Sequence, residues 1–213
     1  MAEGLDAGRL PASCSLPVGP TVNRAADLPP IYNVGHSTRP LPEFVDLLRA
    51  GQVELVVDIR SVPKSRRNPD YNLDALPEKL ASYQIGHMHI AELGGLRAKV
   101  RSVPREVNAF WTNESFHNYA DYALTEPFEA GLSRLLAISS DKRCAIMCAE
   151  AVWWRCHRRI VADYLILNGR EVFHLLGEKR VERAAMTPGA TPNAGRLTYP
   201  AAPTPEALSA GNP

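Results

Sequence analysis

Two periods alternate along the middle of the chain. Short apolar, β-branched runs of strand length recur between longer segments whose apolar residues return every three or four positions. The runs are Ile31 to Val34, Glu54 to Ile59, Gly86 to Ile90, Arg143 to Met147 and Glu171 to Leu175. Between the first two, Pro42 to Ala50 predicts an amphipathic helix with Phe44, Leu47 and Leu48 on one face, Pro42 in the first turn and Gly51 at the stop. Leu73 to Gln84 predicts a second helix, with Asp74 as N-cap and Gly86 beyond its end. Phe116 to Ile138 reads as helix broken near Pro127, where Thr125 suits a fresh cap. A last helix, Cys156 to Leu167, is stopped by Asn168 and Gly169. The second run is apolar almost throughout, as a central strand covered on both faces should be. This alternation predicts an α/β fold: one domain, with a mainly parallel sheet of about five strands flanked by helices.

The periodicity fails at both ends. Residues 1–29, and 183–213 with their Pro, Ala, Gly and Thr, lack the apolar pattern that would offset the entropy of ordering, so both are expected to be disordered tails around a domain at 30–182. The connection from Ala91 to Ser115 is too long for a plain link and is a candidate lid or binding loop.

Composition narrows the setting more than the function. A net charge of +1, with 45% hydrophobic and 22% charged residues, describes an ordinary globular chain and gives no global reason to expect nucleic acid or an anionic membrane. No apolar run reaches the length of a membrane span, and the N-terminus lacks the basic and apolar regions of a secretory signal. The four cysteines, at 14, 144, 148 and 156, do not form a disulfide framework. Reduced thiols and a cytoplasmic location are expected.

Ligands of parallel α/β sheets bind outside the carboxyl ends of the strands, and three of those ends carry unusual residues here. Gly35-His36-Ser37 follows the first. His36 is either a general acid–base group or a ring that closes the turn, and Gly35 permits a tight turn that exposes N–H groups. Asp58, inside an apolar strand, needs a partner such as Arg60 or another arginine, and is either a catalytic carboxylate or half of a structural ion pair. Arg60, Lys64, Arg66 and Arg67 suit a phosphate or carboxylate, or are simply solvated.

The third end, Cys148 to Arg158, is the densest: two cysteines, Glu150, His157, Arg155, Arg158, Trp153 and Trp154. Cys148 is either inert packing or a thiolate lowered by His157 and the arginines. Glu150 serves as a base or pairs with Arg155 or Arg158. Cys156, His157 and Arg158 open a helix whose dipole favours an anion or thiolate. The tryptophans either stack on a planar ligand or form a packed lid. Zinc held by Cys148, Cys156, His157 and a fourth ligand such as His36 is the weaker alternative, because the spacing matches no standard finger and adjacent residues should point apart.

Tyr32-Asn-Val-Gly-His-Ser-Thr-Arg39, Val57-Asp-Ile-Arg60 with Pro63 and Ser65-Arg66, Leu93-Gly94-Gly95, and Met147-Cys-Ala-Glu150 with Cys156-His157-Arg158 together resemble the DUF488 family, a domain of unknown function. The resemblance covers about residues 31 to 176. It implies a compact cytosolic α/β domain with signature residues at strand ends, and it supplies no reaction, substrate or cofactor. Carried over by resemblance, the site comprises Gly35, His36, Ser37, Asp58, Arg60, Ser65, Arg66, Gly94, Gly95, Cys148, Glu150, Cys156, His157 and Arg158.

The leading functional expectation is an enzyme of unassigned reaction on a small anionic or nucleotide-like substrate. Arg60, Arg66 and Arg158 would hold the anion, His36 or His157 would move protons, and Cys148 or Glu150 would attack or act as base, with Asp58 also a catalytic candidate. The alternatives are a nucleic-acid-associated module, using basic residues 60 to 67 and 97 to 105 with Phe110, Trp111, Trp153 and Trp154 for stacking, and a non-catalytic ligand-binding protein. All of these depend on the three turns sharing one rim.

Overall fold

In the computed structural model, residues 28–177 and 180–202 are described. The first strand is β1 (Ile31–Gly35), followed by α1 (Leu41–Ala50), β2 (Leu55–Asp58), α2 (Leu76–Ala81) and β3 (Gly86–His89). Then come α3 (Glu114–Tyr122), α4 (Glu126–Ile138), β4 (Cys144–Cys148), α5 (Arg158–Leu167), β5 (Val172–Gly177) and β6 (Arg180–Arg183), with a small hairpin of β7 (Thr191–Asn193) and β8 (Arg196–Thr198) at the end. The main sheet has six strands in the order β3-β2-β4-β1-β5-β6, one more than the apolar runs suggest. All its neighbours run parallel except the last pair, β5 and β6.

Strand alternation divides the core. Val34, Val56, Ala145, Met147 and Leu175 point to one face and pack with Phe44, Leu48, Leu76 and Leu80 of α1 and α2. Ile31, Leu55, Val57, Cys144, Ile146 and Val172 point to the other, beneath Tyr119, Phe128, Leu132, Ile160 and Val161 of α3, α4 and α5. The chain therefore leaves β1 and β2 toward one face but leaves β4, which lies between them, toward the other. Such opposed departures open a crevice at the carboxyl end of the central strand, where Cys148 stands.

Helix bounds differ from expectation for local reasons. The α3 helix begins before Phe116 because the Asn113 side chain accepts from the backbone N–H groups of Ser115 and Phe116. The α2 helix is shorter than its pattern, and neither Asp74 nor any other side chain caps it. The new helix after Thr125 forms as expected, but the threonine hydroxyl donates back to Tyr122 O rather than capping.

The expected C-terminal tail starts too early at 183. Residues 184–202 fold back onto α5: Leu197 and Tyr199 are fully buried, the Tyr199 hydroxyl donates to Asp163 Oδ2 at 3.0 Å, and Thr187 N donates to Asp163 Oδ1 at 2.9 Å. A few isolated anchors hold this segment, and isolated anchors leave no periodic pattern. Most of the expected N-terminal tail, residues 1–27 with Cys14, and residues 203–213 lie outside the described residues. Among the described residues no helix is long and apolar enough to cross a membrane.

Candidate functional site

The three turns do share one rim. Beyond β1, His36 N donates to Cys148 O at 3.1 Å and Ser37 N to Ala149 O at 3.0 Å, so the β1–β4 pairing continues into both loops. Gly35 is needed for close approach: a Cβ there would stand 1.9 Å from Glu150 O. In the turn that follows, Ser37 takes the left-handed conformation, with φ 51°.

Side chains from these turns separate into two groups on opposite faces of the sheet. On the α1/α2 face, Arg60 Nε donates to Asp58 Oδ1 at 2.8 Å and its Nη2 to Asp58 Oδ2 at 2.5 Å. Nη2 also donates to Tyr71 O, and Nη1 lies 3.2 Å from His36 Nε2. Burial pushes the Asp58 carboxyl up, but the contacts with Arg60 and His87 outweigh it and hold it below the usual carboxylate range. Burial, and then the Arg60 charge, pull His36 down to about 4. The His36 ring is thus neutral, accepts from Arg60 at Nε2, donates from Nδ1 to Ser37 O at 2.8 Å, and stacks on Tyr71 with centroids 4.1 Å apart. Asp58 thus forms an ion pair with Arg60, the His36 ring closes its turn, and the Arg60 fork is taken up by Asp58, although Arg60 also borders the pocket described next. Ser65 is likewise spent on the turn, through Asn68 N and Asn72 Oδ1, and Arg66 is exposed outside the pocket lining.

The second group lies on the α3–α5 face and borders a pocket of about 360 Å³. Cys148 closes the pocket at the end of β4, and Cys156 and His157 enter it where α5 begins. Their two sulfurs and a ring nitrogen all lie within 4.8 Å of one another. His157 Nε2 donates to Ile59 O at 3.1 Å, which leaves Nδ1, 3.5 Å from Cys156 Sγ, as the acceptor. Gly95 makes room for this ring, since a Cβ there would come within 2.8 Å of Nδ1. Gly94 has the matching role against the Ser61 backbone.

Behind the sulfurs lies Arg158, 1% exposed. Its Nε donates to Cys156 Sγ at 3.2 Å and its Nη2 to Glu150 O, and it has no carboxylate ion-pair partner among the described residues. A buried guanidinium without an anion is expensive, and the nearest group able to supply one is Cys156. Burial pushes the Cys156 thiol up, yet the neighbouring Cys148 thiol, Arg158 and His157 together draw it well below its ordinary value. The same neighbour, Cys156, joins burial in pushing Cys148 up. Of the two sulfurs, Cys156, which accepts from Arg158, is thus favoured over Cys148 as the thiolate.

Cys148, Cys156 and His157 also form a donor set of the kind zinc accepts, and His157 Nε2–H on a carbonyl is a familiar outer-shell arrangement. Adjacent Cys156 and His157 converge here, contrary to the expectation that they point apart. His36, held by Arg60, does not join them.

Other expectations dissolve into packing. Trp111 is buried and stacked on Phe116 under Arg159, Phe110 packs against Gly189, and Trp153 stacks on buried His174 with centroids 4.2 Å apart. Only Trp154 among these aromatic residues is largely exposed. Lys64, Arg66, Arg67, Lys99 and Arg101 remain exposed. Glu150 lines the pocket with an exposed side chain, as does Arg155, and the two form no ion pair. The loop from 91 to 115 contributes Gly95 and Leu96, the latter 87% exposed at the pocket mouth. Pattern reading missed Ser61, Phe116 and Tyr119 in the lining. Tyr119 packs its ring 5.0 Å from His157 and donates its hydroxyl to Leu93 O, and only its place on the apolar side of α3 hinted at this.

A family model described as "Domain of unknown function DUF488" matches residues 40–165, from just before α1 into α5. The matched span is shorter than the resemblance read from the motifs and leaves β1 and β5 outside it. No curated protein and no solved structure matches the chain.

Proposed function

The chain belongs to the DUF488 family, and from that premise we propose that it is a thiol-dependent enzyme acting on a small, electrophilic substrate that carries an anionic group. The observation that carries this reading is the convergence on one sulfur. Arg158 Nε, His157 Nδ1 and the Cys148 thiol surround Cys156 Sγ where a helix begins and a pocket opens. Cys156 is the attacking group. His157 Nδ1 takes its proton and returns it to the leaving group, with Nε2 anchored on Ile59 O so that the ring keeps one orientation. Arg158 is a positioning residue that balances the thiolate. Arg155, exposed in the lining, is the cation available to the substrate's anionic group, and Glu150 is a second acid–base candidate.

A zinc reading would use the same donors. Two thiolates on a divalent ion would cancel its charge and leave Arg158 without an anion, so the charge balance favours the free thiol. The nucleic-acid reading keeps the exposed basic residues but loses most of its stacking platform to the core. A non-catalytic ligand-binding role for the pocket would not need an activated sulfur.

The test is iodoacetamide labelling across pH, with each cysteine followed by peptide mass spectrometry. Cys156 is expected to label fastest near neutral pH, and substitution His157→Asn to slow it. Labelling of Cys156 only at the pH of an ordinary thiol would remove this function.

A further inference from the structure

We infer that Cys148 and Cys156 form a dithiol–disulfide couple, in which Cys156 attacks a low-molecular-weight disulfide and Cys148 resolves the product. The inference rests on the proposed nucleophilic role of Cys156 and adds a role for the second sulfur, which that reading leaves as a neighbour. Both cysteines are free, both border the same pocket, and their sulfurs lie within 4.8 Å of each other. Cys144, four residues earlier on the same face of β4, instead packs in the core below.

The chemistry follows the one negative charge that Arg158 can support. In the dithiol state that charge sits on Cys156 Sγ, which receives the Arg158 Nε–H bond and keeps the Cys148 thiol protonated. Attack on a disulfide RS–SR forms the Cys156–S–S–R bond, breaks the S–S bond of the reagent and releases RS⁻. Cys156 is then neutral. The repulsion that held up the Cys148 proton is gone, and Arg158 is left facing Cys148 as the nearest source of an anion. His157, with a ring nitrogen within 4.8 Å of the Cys148 sulfur, has by then passed its first proton to the released RS⁻ and accepts the Cys148 proton. The Cys148 thiolate attacks Cys156 Sγ, forming the internal disulfide and expelling a second RS⁻. The two departing thiolates take up the protons lost by the protein, so one dithiol and one RSSR give one protein disulfide and two RSH.

The same balance sets the direction of easy reaction. The internal disulfide leaves Arg158 buried without an anion, whereas the dithiol pairs it. Stabilising the reduced form makes a disulfide oxidising, hence readily reduced by a small thiol.

Incubation of the full chain with a large excess of glutathione disulfide and no added glutathione, which drives even an oxidising couple forward, then acid quenching and peptide mapping, tests the couple. In the wild type, a Cys148–Cys156 crosslink should form and no glutathione should remain bound. Cys148→Ser should stop at a lasting glutathione adduct on Cys156. Cys156→Ser should lose both products, and folding of both variants is checked by circular dichroism. A persistent Cys156 adduct in the wild type, or no reaction of either sulfur, overturns the couple. Iodoacetamide labelling reports separately on Cys156: fast labelling without a crosslink leaves the thiol-enzyme reading intact and removes only the disulfide step.

Discussion

Arg158 Nε lies 3.2 Å from Cys156 Sγ, inside a cluster where the guanidinium is buried and no carboxylate among the described residues pairs with it. This places the thiolate-stabilising charge two residues along the chain from the sulfur, at the first position of α5. Substitution Arg158→Met keeps a long apolar stem while deleting the charge. The labelling midpoint of Cys156 should then rise by about one pH unit or more, which makes the reaction about tenfold slower at pH values below the wild-type midpoint. Stopped-flow or timed alkylation over a pH series checks this, and an unmoved midpoint would deny Arg158 its role.

Gly95 tests the other side of the cluster. Gly95→Ala puts a methyl group within 2.8 Å of His157 Nδ1, between a backbone that cannot move freely and a ring anchored on Ile59 O. The expected result is slower Cys156 alkylation with a modest stability loss of about 1–3 kcal/mol from overpacking. His157→Asn in the same background should add little further slowing, because both changes remove the same base. Additive losses would separate the glycine from the histidine.

The contrast between these two residues shows what was legible in the sequence. The apolar runs and their glycine stops marked five strands of the sheet, since strand period and turn chemistry are local. The rim followed from parallel topology alone. Which side chains meet across the rim was not local: Asp58 and Cys148 both end central strands, but an even–odd difference in strand position sends one to each face. Cys156 and His157 converge where the backbone changes from extended at Cys156 to helical at His157, the residue before α5, a detail that spacing does not encode. The sixth strand escaped notice because the four residues Arg180–Arg183 are all exposed and carry no apolar alternation.

Arg60 predicts stability rather than ligand affinity. Arg60→Lys keeps the charge but loses the fork on Asp58 and the hydrogen bond to His36. A cost of roughly 3 kcal/mol in urea unfolding is expected, as for other broken buried pairs. Because the Arg60 fork is held by Asp58 and not by Cys156, alkylation of Cys156 should change far less than in Arg158→Met. Arg60 also borders the pocket, so a large loss of reactivity with unchanged stability would give it a direct role there.

Two buried histidines predict acid sensitivity above the carboxylate range. Burial lowers His36 and His174 to about 4, with a further push from Arg60 on the first and Arg158 on the second. In the unfolded chain both titrate near 6.5, so from there down to about 4 the unfolded state binds more protons than the folded state. Stability is therefore complete above about pH 6.5 and declines as the pH falls through this window, by up to about 3 kcal/mol per histidine. Asp58 has its carboxyl lowered, so its contribution is present above the unfolded value near 3.9 and is lost only at lower pH. Urea melts at pH 7, 5.5 and 4.5 should show the slope, and His174→Phe, which preserves a ring beneath Trp153, should flatten it. A stability unchanged from pH 7 to 4.5 would contradict both assignments.

The segment beyond β6 supplies the last prediction, because it looked expendable by composition and is not by contact. Tyr199 is fully buried against Trp111, its backbone N–H donates to Asn108 Oδ1, its carbonyl accepts from Phe110 N, and its hydroxyl reaches Asp163 on α5. It thereby ties the long loop before α3 to the helix whose first residue is Arg158. Tyr199→Phe removes one hydrogen bond to a buried carboxyl and should cost about 1–3 kcal/mol. Tyr199→Ala also opens a cavity under Trp111 and should cost about 3–5 kcal/mol. Equilibrium unfolding distinguishes the two. If the alanine variant is as stable as the wild type, residues 184–202 do not hold the α5 face together, and the disordered tail expected from composition would be the better description.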